Sequence, residues 1–91
     1  MDDSFSEAVT LVNELGLHLR AAGRFVQLAS RYKATISIEH EGVVVDGKSI
    51  MGLLSLAVAC GCSITIRATG TDAAAAIQAL INLVKRGFEE N

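Results

Sequence analysis

A histidine and an arginine in the segment GLHLRAAG, residues 16–23, form the first pattern in the sequence that could do chemistry. His18 lies where a helix-forming run begins. The first N–H groups of a helix have no intrahelical acceptor and carry partial positive charge, so such an end favours an anion. A neutral imidazole there is a competent nucleophile toward a phosphoryl group, because the helix end disfavours the imidazolium form. Arg20 adds a planar cation that can donate two hydrogen bonds to phosphate oxygens.

The same residues also have a simpler interpretation. A histidine at a helix start is often a solvated surface residue, and Arg20 alone could be an ordinary surface charge. Gly16 permits a turn that would strain other residues, but it does not by itself indicate a reactive site. The spacing His-x-Arg therefore leaves a phosphohistidine site and a solvated surface pair both open.

Composition restricts the classes of protein to which the chain can belong. Its 91 residues, of which 51% are hydrophobic, predict one domain over residues 1–91, with no linker and no proline. The net charge is -2 and the basic residues are scattered, which argues against a nucleic-acid partner. The chain contains no apolar tract of about 20 residues and begins without the pattern of a signal peptide. We therefore expect a cytoplasmic monomer with no membrane insertion.

Hydrophobic periodicity predicts four strands. Strict alternation of apolar and polar residues is typical of half-buried strands and occurs in TISIEH and SITIRA. A β-branched apolar run forms a further candidate strand, and a tight turn followed by a short strand completes a hairpin. The predicted strands cover residues 6–12, 35–40 and 63–68, and the hairpin turn and short strand cover residues 41–47.

Helical spacing predicts three helices, each with one apolar stripe. The first runs from Arg20 to Tyr32, the second from Lys48 to Val58 and ends near Gly61, and the last starts at Thr71 or Asp72. The inward stripes comprise Ala21, Phe25, Leu28, Ala29 and Tyr32; Ile50, Leu53, Leu54, Ala57 and Val58; and Ile77, Leu80, Ile81, Val84 and Phe88. The order β-α-β-β-α-β-α predicts an α+β fold, a four-stranded antiparallel sheet with three helices on one face.

Several smaller patterns have competing interpretations. Ser49 precedes an apolar-periodic run and is a candidate N-cap. Met51 falls beside the inward stripe of its helix, which predicts an exposed contact residue. Cys60 and Cys62 are expected to be free, buried or half-buried thiols, because their spacing would strain a disulfide. With His40 they offer too few ligands for a zinc site, so no metal is expected and His40 is predicted to face solvent at a strand end.

The sequence resembles the HPr family, the histidine-containing phosphocarriers of the bacterial phosphoenolpyruvate-dependent sugar phosphotransferase system. The resemblance rests on GLHLR preceded by NEL, on GKSIMGLLSLA and on SITIRATGTDAAAAIQAL, and it covers almost the whole chain. It implies the open-faced β-sandwich fold, a relay protein rather than an enzyme, and no cofactor. It also implies that enzyme I phosphorylates His18, that an enzyme IIA discharges it, and that Arg20 steadies the phosphate.

The resemblance also assigns regulatory and docking positions. Ser49 matches the residue that an HPr kinase/phosphorylase modifies in some bacterial groups. Leu17, Ile50 and Met51 match the apolar patch that docks on partners, and Leu19 enlarges the apolar surface beside the ring. Leu19 and Ala21 depart from the small residue and the proline that most members have. We expect these departures to alter partner choice or exchange rate rather than to abolish transfer.

Other functions remain as alternatives. One keeps the phosphohistidine but places it in a regulatory branch that controls nitrogen or carbon responses without sugar uptake. A small α/β hydrolase is another, although no second acid-base group, nucleophile elbow or phosphate-cradling glycine loop accompanies His18. A redox or metal module built on Cys60 and Cys62 is the last.

Overall fold

The computed structural model describes residues 3–90 of the chain. Its elements follow the predicted order β-α-β-β-α-β-α, with a short 3₁₀ turn at the end. The strands are β1 (Ser4–Thr10), β2 (Thr35–His40), β3 (Val43–Asp46) and β4 (Ser63–Thr69). The helices are α1 (Leu19–Ala29), α2 (Ile50–Ser55) and α3 (Ala73–Lys85), and the 3₁₀ turn is Gly87–Glu89.

The strands form one antiparallel sheet in the order β1-β4-β2-β3. The last strand in sequence, β4, is central, and its Ile66 is paired with Glu7 of β1 and with Ile38 of β2. Side chains alternate along β4 because successive residues point to opposite faces, so Ile64, Ile66 and Ala68 are buried between more exposed neighbours. The helices cover this apolar face, with α3 against β1 and β4 and with α1 against α2 and α3. The predicted open-faced β-sandwich is confirmed.

A two-residue turn closes the hairpin between β2 and β3. Glu41 and Gly42 both have left-handed backbone conformations, with φ of 50° and 82°. Two such residues form the turn whose twist matches that of antiparallel strands. The hairpin was predicted from the sequence, and this turn sets the register that pairs His40 with Val43.

The ends of β1, α1 and α2 differ from the predicted bounds. β1 ends at Thr10, because Leu11 exchanges backbone hydrogen bonds with the turn residues Gly61 and Cys62. α1 ends at Ala29 rather than Tyr32, because the N–H groups of the next turn bond carbonyls only three residues back. α2 ends at Ser55 rather than Val58. The reason is that Ala57 adopts a left-handed conformation, with φ of 52°.

The predicted stripes on α2 and α3 need correction as well. In α2 only Leu53 is fully buried, whereas Ile50 and Ala57 are exposed. α3 ends at Lys85, so Phe88 does not belong to its stripe, although its ring is fully buried in the 3₁₀ turn. Lys85 occupies the last turn of α3, where a cation favours the negative end of the helix.

The two thiols and the second histidine also lie in different surroundings from those expected. Cys60 and Cys62 are free, as predicted, but both are exposed because they lie in the turn that precedes β4. The side chain of His40 is only 13% exposed, and its Nδ1 lies 3.0 Å from the carbonyl oxygen of Ser63. Within residues 3–90, no group of three or more potential metal ligands comes together. Among those residues there is also no helix of the length and hydropathy needed to cross a bilayer.

Asp72, a predicted helix cap, fixes the connection between α1 and β2. It is the N-cap residue of α3, but its carboxylate oxygens accept hydrogen bonds from the N–H groups of Lys33 and Ala34, each at 2.8 Å. The bond from Lys33, supported by that from Ala34, holds the pKa of Asp72 below its ordinary value. The carboxylate therefore ties the start of α3 to the start of β2.

We expect Asp72→Asn to lower the free energy of unfolding at pH 7, because an amide offers one acceptor oxygen to two donors. The contribution of Asp72 is present above its ordinary pKa of 3.8 and is lost as the pH falls through the lower pKa of the folded state. Urea unfolding followed by circular dichroism across this range measures the difference. Glu7→Gln, on the exposed β1, is the control, and a pH-independent difference would contradict the role of the carboxylate.

Candidate functional site

The turn between β1 and α1 places His18 at the N-terminus of the helix. His18 is the N-cap residue with an extended backbone, φ -83° and ψ -178°, and its carbonyl accepts the first helical hydrogen bond from Ala22 at 2.8 Å. The N–H groups of Leu19, Arg20 and Ala21 therefore belong to the first helical turn, where no intrahelical acceptor exists. The predicted helix start at or just after His18 is confirmed.

Gly16 determines how the chain enters this turn. Its φ is +64°, and a Cβ atom on it would lie 2.3 Å from the carbonyl oxygen of Val58. The same carbonyl accepts a hydrogen bond from the N–H of Leu17 at 2.9 Å. As a result the Leu17 side chain is buried, only 4% exposed, and it is not part of the exposed docking surface that the sequence predicted.

The ring of His18 is held by a carboxylate from the other end of the chain. Within the described residues, the His18 side chain does not cap α1. Its Nε2 lies 2.6 Å from Oε2 of Glu90. The other oxygen of Glu90 accepts a hydrogen bond from Nδ2 of Asn13 at 2.8 Å, and Asn13 also donates to the carbonyl of Gly16 at 2.7 Å. One network thus joins the histidine, the entry turn and the C-terminal segment.

A left-handed turn returns the chain from α3 to His18. Gly87, Phe88 and Glu89 have φ values of 64°, 57° and 61°, a conformation that costs energy for residues other than glycine. The buried Phe88 ring offsets part of this cost. Nη1 of Arg24 donates to the carbonyls of Phe88 and Glu89 at 2.7 and 2.8 Å, so helix α1 holds the turn directly.

Glu90 is ionised in this network. Burial acts to raise the pKa of Glu90, but the hydrogen bonds from Asn13 and His18, together with the charge of Arg20, outweigh it and lower that pKa below its ordinary value. The side chains of His18 and Glu90 are 27% and 16% exposed, so the ring remains within reach of a partner. At neutral pH the site therefore holds a carboxylate beside an accessible imidazole.

Arg20 lines a cleft of about 560 Å³ next to this network, together with Asn13, Lys85, Arg86 and Glu90. The side chain is exposed, as is usual for a cation that must reach an incoming anion. Three basic and two acidic side chains line the cleft, the second acidic one being Glu14, so the balance of charge is positive and this side of the site favours anions. Arg20 thus shares the cleft with Glu90, the residue that contacts the ring of His18, and its role toward a phosphate stays a prediction.

Three exposed apolar side chains lie at the N-terminal ends of α1 and α2. Leu19 is 65% exposed, Met51 78% and Ile50 37%, and the two helices pack against each other. The predicted exposure of Met51 is confirmed. The predicted N-cap is confirmed too, because Oγ of Ser49 accepts a hydrogen bond from the N–H of Gly52 at 3.0 Å. The docking role of these side chains stays a prediction.

Three residues at the site were missed by sequence reasoning: Asn13, Arg24 and Glu90. Asn13 could be predicted as a turn residue only, and Arg24 as the polar face of a helix. Glu90 lies 72 residues from His18, and no local pattern pairs them. The contacts of these residues with the C-terminal segment depend on the left-handed turn after α3. The sequence did not predict this turn, because Phe88 fits the helical spacing of α3.

Comparison with known proteins gives independent evidence of the family to which the chain belongs. A family model described as "PTS HPr component phosphorylation site" matches residues 5–86. The phosphocarrier protein HPr of Neisseria meningitidis serogroup A is 40% identical over 84 residues, which are 92% of this chain and 94% of that protein. A crystal structure of HPr from Thermoanaerobacter tengcongensis superimposes with a TM-score of 0.92 at 38% identity, covering 96% of this chain and 98% of that one.

The chain belongs to the HPr family. It is therefore a phosphocarrier protein of the phosphotransferase system, and the family resemblance inferred from its motifs is confirmed. Solved relatives include dimers. A swapped dimer of Crh, the catabolite repression protein of Bacillus subtilis, has a TM-score of 0.75 at 39% identity, covering 87% of this chain and 91% of that one.

The entry turn can be tested with two glycine substitutions. We expect Gly16→Ala to lower the free energy of unfolding by more than about 2 kcal/mol, because alanine is strained at positive φ and its Cβ would meet the Val58 carbonyl. Gly23→Ala is the matched control in α1, where, apart from its chain neighbours and the backbone of its own helix, no atom of residues 3–90 lies within 4 Å of the Cβ position. It should raise the free energy by about 1 kcal/mol. Denaturant unfolding of both variants measures the difference, and equal effects would contradict the close approach.

Proposed function

We propose that His18 accepts a phosphoryl group from phospho-enzyme I and passes it to an enzyme IIA, in the cytoplasm. The observation that carries the proposal is the position of the accessible imidazole at the N-cap of α1, in a chain of the HPr family. The partner enzymes supply the remaining chemistry, so this chain is their substrate and relay rather than a catalyst. No cofactor takes part in the proposed transfer.

The physical support for His18 lies in the charges around it. The first-turn N–H groups of α1 and the partial positive charge of the helix end favour phosphate oxygens beside the ring. Arg20 lies in the adjoining cleft, where its guanidinium can donate two hydrogen bonds to a phosphoryl group. We assign Arg20 the role of steadying the phosphate. Both groups are exposed enough for a partner to reach them.

Partners are proposed to dock on the apolar surface formed by Leu19, Ile50 and Met51. Leu19 directly follows His18, whereas Ile50 and Met51 begin α2, which packs against α1. Exposed apolar side chains of this kind are typical of interaction sites, and methionine adapts to partners of different shape. Leu17 is left out of the surface because it is buried.

We expect incubation with phosphoenolpyruvate and purified enzyme I to add one acid-labile phosphoryl group to the chain. His18→Ala should lose the whole gain in mass, because it removes the accepting nitrogen. His40→Ala is the control, since it removes the only other histidine in the sequence, and it should be phosphorylated at the rate of the unaltered chain. Mass spectrometry before and after acid treatment measures both. Phosphorylation that survives His18→Ala would reject the assignment.

Ser49 is proposed as a regulatory site for an HPr kinase/phosphorylase. Its hydroxyl already bonds the first turn of α2, so a phosphate on it stays close to N–H groups and leaves the fold intact. The added charge would lie directly beside Ile50 in the docking surface. A partner that approaches with carboxylates around its own apolar patch would then be repelled.

We expect Ser49→Asp to slow phosphorylation of His18 by enzyme I on the order of 10-fold at low salt, and less at high salt, because rim charges act mainly on association rates. Ser49→Ala is the matched control. It removes the cap, at a cost of about 1 kcal/mol in stability, but adds no charge, so its rate should match the unaltered chain. Initial rates at several enzyme I concentrations separate association from transfer. Equal rates for the two variants would contradict regulation by charge.

Leu19 favours a second candidate, an HPr-like carrier in a regulatory branch that is not coupled to sugar uptake. Its side chain is 65% exposed next to His18, where most family members have a small residue, so it changes the surface that acceptors meet. Discharge of the phosphorylated chain to a sugar-specific enzyme IIA, compared with a regulatory enzyme IIA of the same genome, distinguishes the two branches.

A further inference from the structure

We propose that Cys60 and Cys62 form a reversible thiol–disulfide site, whose oxidation is transmitted to the turn between β1 and α1 that positions His18. These are the only two cysteines of the sequence, and both are exposed in the turn before β4. The proposed phosphoryl transfer does not use them. The formation of the disulfide is independent of that transfer, whereas its effect on transfer rests on the proposed function of His18.

Residues 59–62, the thiol turn, bring the two cysteines together. The N–H of Cys62 donates to the carbonyl oxygen of Ala59 at 3.1 Å, and Gly61 has a φ of 88°. A positive φ at the third residue is typical of a type II turn. An extended chain would separate the Cα atoms of residues 60 and 62 by about 7 Å, the limit for a disulfide, and a turn brings them closer. The backbone thus holds the two Cα atoms in the range that a disulfide needs.

The thiol turn is open to small molecules. All four of its residues are exposed, and apart from the two chain neighbours no heavy atom of residues 3–90 lies within 4 Å of a Cβ built on Gly61. A disulfide between Cys60 and Cys62 closes a small ring, which strains the bond and makes it easier to reduce than a structural disulfide. In a reducing compartment such as the proposed cytoplasm, disulfides are typically transient or redox-sensing.

The exchange needs only a small disulfide, such as oxidised glutathione, as the oxidant. The thiolate of one cysteine attacks a sulfur of the small disulfide, so a mixed disulfide forms and one small thiolate leaves with the electron pair. The thiolate of the second cysteine then attacks the protein sulfur of the mixed disulfide and releases the other small thiolate. The released thiolates take up the two protons that the cysteines lost. An excess of the small thiol reverses both steps.

Backbone hydrogen bonds tie the thiol turn to the end of β1. The N–H of Gly61 donates to the carbonyl oxygen of Leu11 at 2.8 Å, and the N–H of Leu11 donates to the carbonyl oxygen of Cys62 at 2.9 Å. Leu11 begins the segment that leads from β1 to His18. Closing the ring changes the backbone dihedral angles of residues 60–62, so it alters the partners to which this segment is bonded.

The other end of the same segment also lies against the thiol turn. A Cβ built on Gly16 would lie 3.0 Å from Cα of Ala59, the first residue of the thiol turn. The N–H of Leu17 donates to the carbonyl oxygen of Val58, one residue earlier, at 2.9 Å. A shift of the thiol turn therefore moves the backbone that supports the two residues before His18.

The first measurement is the redox state of the chain in mixtures of reduced and oxidised glutathione, by mass spectrometry without reductant. In excess oxidised glutathione we expect the unaltered chain to lose the mass of two hydrogen atoms, and in excess reduced glutathione to regain it. Cys60→Ser and Cys62→Ser should each gain one glutathionyl group, because no second thiol resolves the mixed disulfide. A chain that stays reduced, stops at mixed disulfides, or resists excess reduced glutathione would overturn the site.

The second measurement compares the oxidised and reduced chains after glutathione has been removed. We expect hydrogen exchange at the Leu17 amide, followed by NMR, to be faster on the order of 10-fold in the oxidised chain, because the carbonyl of Val58 protects this amide. Phosphorylation by phospho-enzyme I should slow on the order of 10-fold, because a displaced helix start misplaces His18. Treatment of the oxidised chain with dithiothreitol should restore both values.

The double variant Cys60→Ser, Cys62→Ser is the control. Before and after treatment with oxidised glutathione, it should match the reduced unaltered chain in exchange and in rate. Equal changes in the treated double variant, or an unchanged Leu17 amide in the oxidised chain, would overturn the link to His18. An unchanged rate would overturn the effect on transfer. Failure of the reduced chain to accept phosphate would instead reject the proposed function, while the Leu17 amide would still decide the link.

Discussion

The close approach of Gly16 to the carbonyl of Val58 is the constraint on which the site depends. The turn after β1 enters α1 with its backbone against Val58 and Ala59, and no Cβ fits there. This approach buries Leu17 in the core and leaves the next residue, His18, at the open end of the helix. The same close approach explains why α2 ends at Ser55 and not at Val58. The chain must leave the helix before Val58 so that the carbonyl of Val58 can accept the hydrogen bond from Leu17.

The C-terminal segment is as much a part of the site as the motif around His18. Its left-handed turn places conformational strain at Phe88 and Glu89, and the strain is offset by the buried ring and by the hydrogen bonds from Arg24. The result is a carboxylate delivered to Nε2 of His18 from the opposite end of the chain. The helix end and the basic side chains of the cleft supply positive charge, so the site favours phosphate although it holds this carboxylate.

Local sequence patterns predicted much of the fold. Alternation in β2 and β4 and helical spacing in α1 and α3 were sufficient to give element types and the layered arrangement, because burial of one face imposes a period on the residues. Element ends were less predictable. Where α2 and β1 stop depends on Val58, Leu11 and Gly61 finding partners across the fold, and where α3 stops depends on a left-handed turn that follows no apolar period. Cys60 and Cys62 are exposed because they lie in the turn that precedes β4, which the sequence pattern did not predict.

The sequence by itself determined the family, the position of His18 at a helix start, the neighbouring Arg20 and the cap at Ser49, because each depends on residues a few positions apart. Only the tertiary structure decided the central place of β4 in the sheet, the burial of Leu17 and the pairing of Glu90 with His18. The physical reason is range. Capping and helix-end electrostatics act within one turn of the chain, whereas strand order and the Asn13–Glu90–His18 network join residues that meet only when the two layers pack.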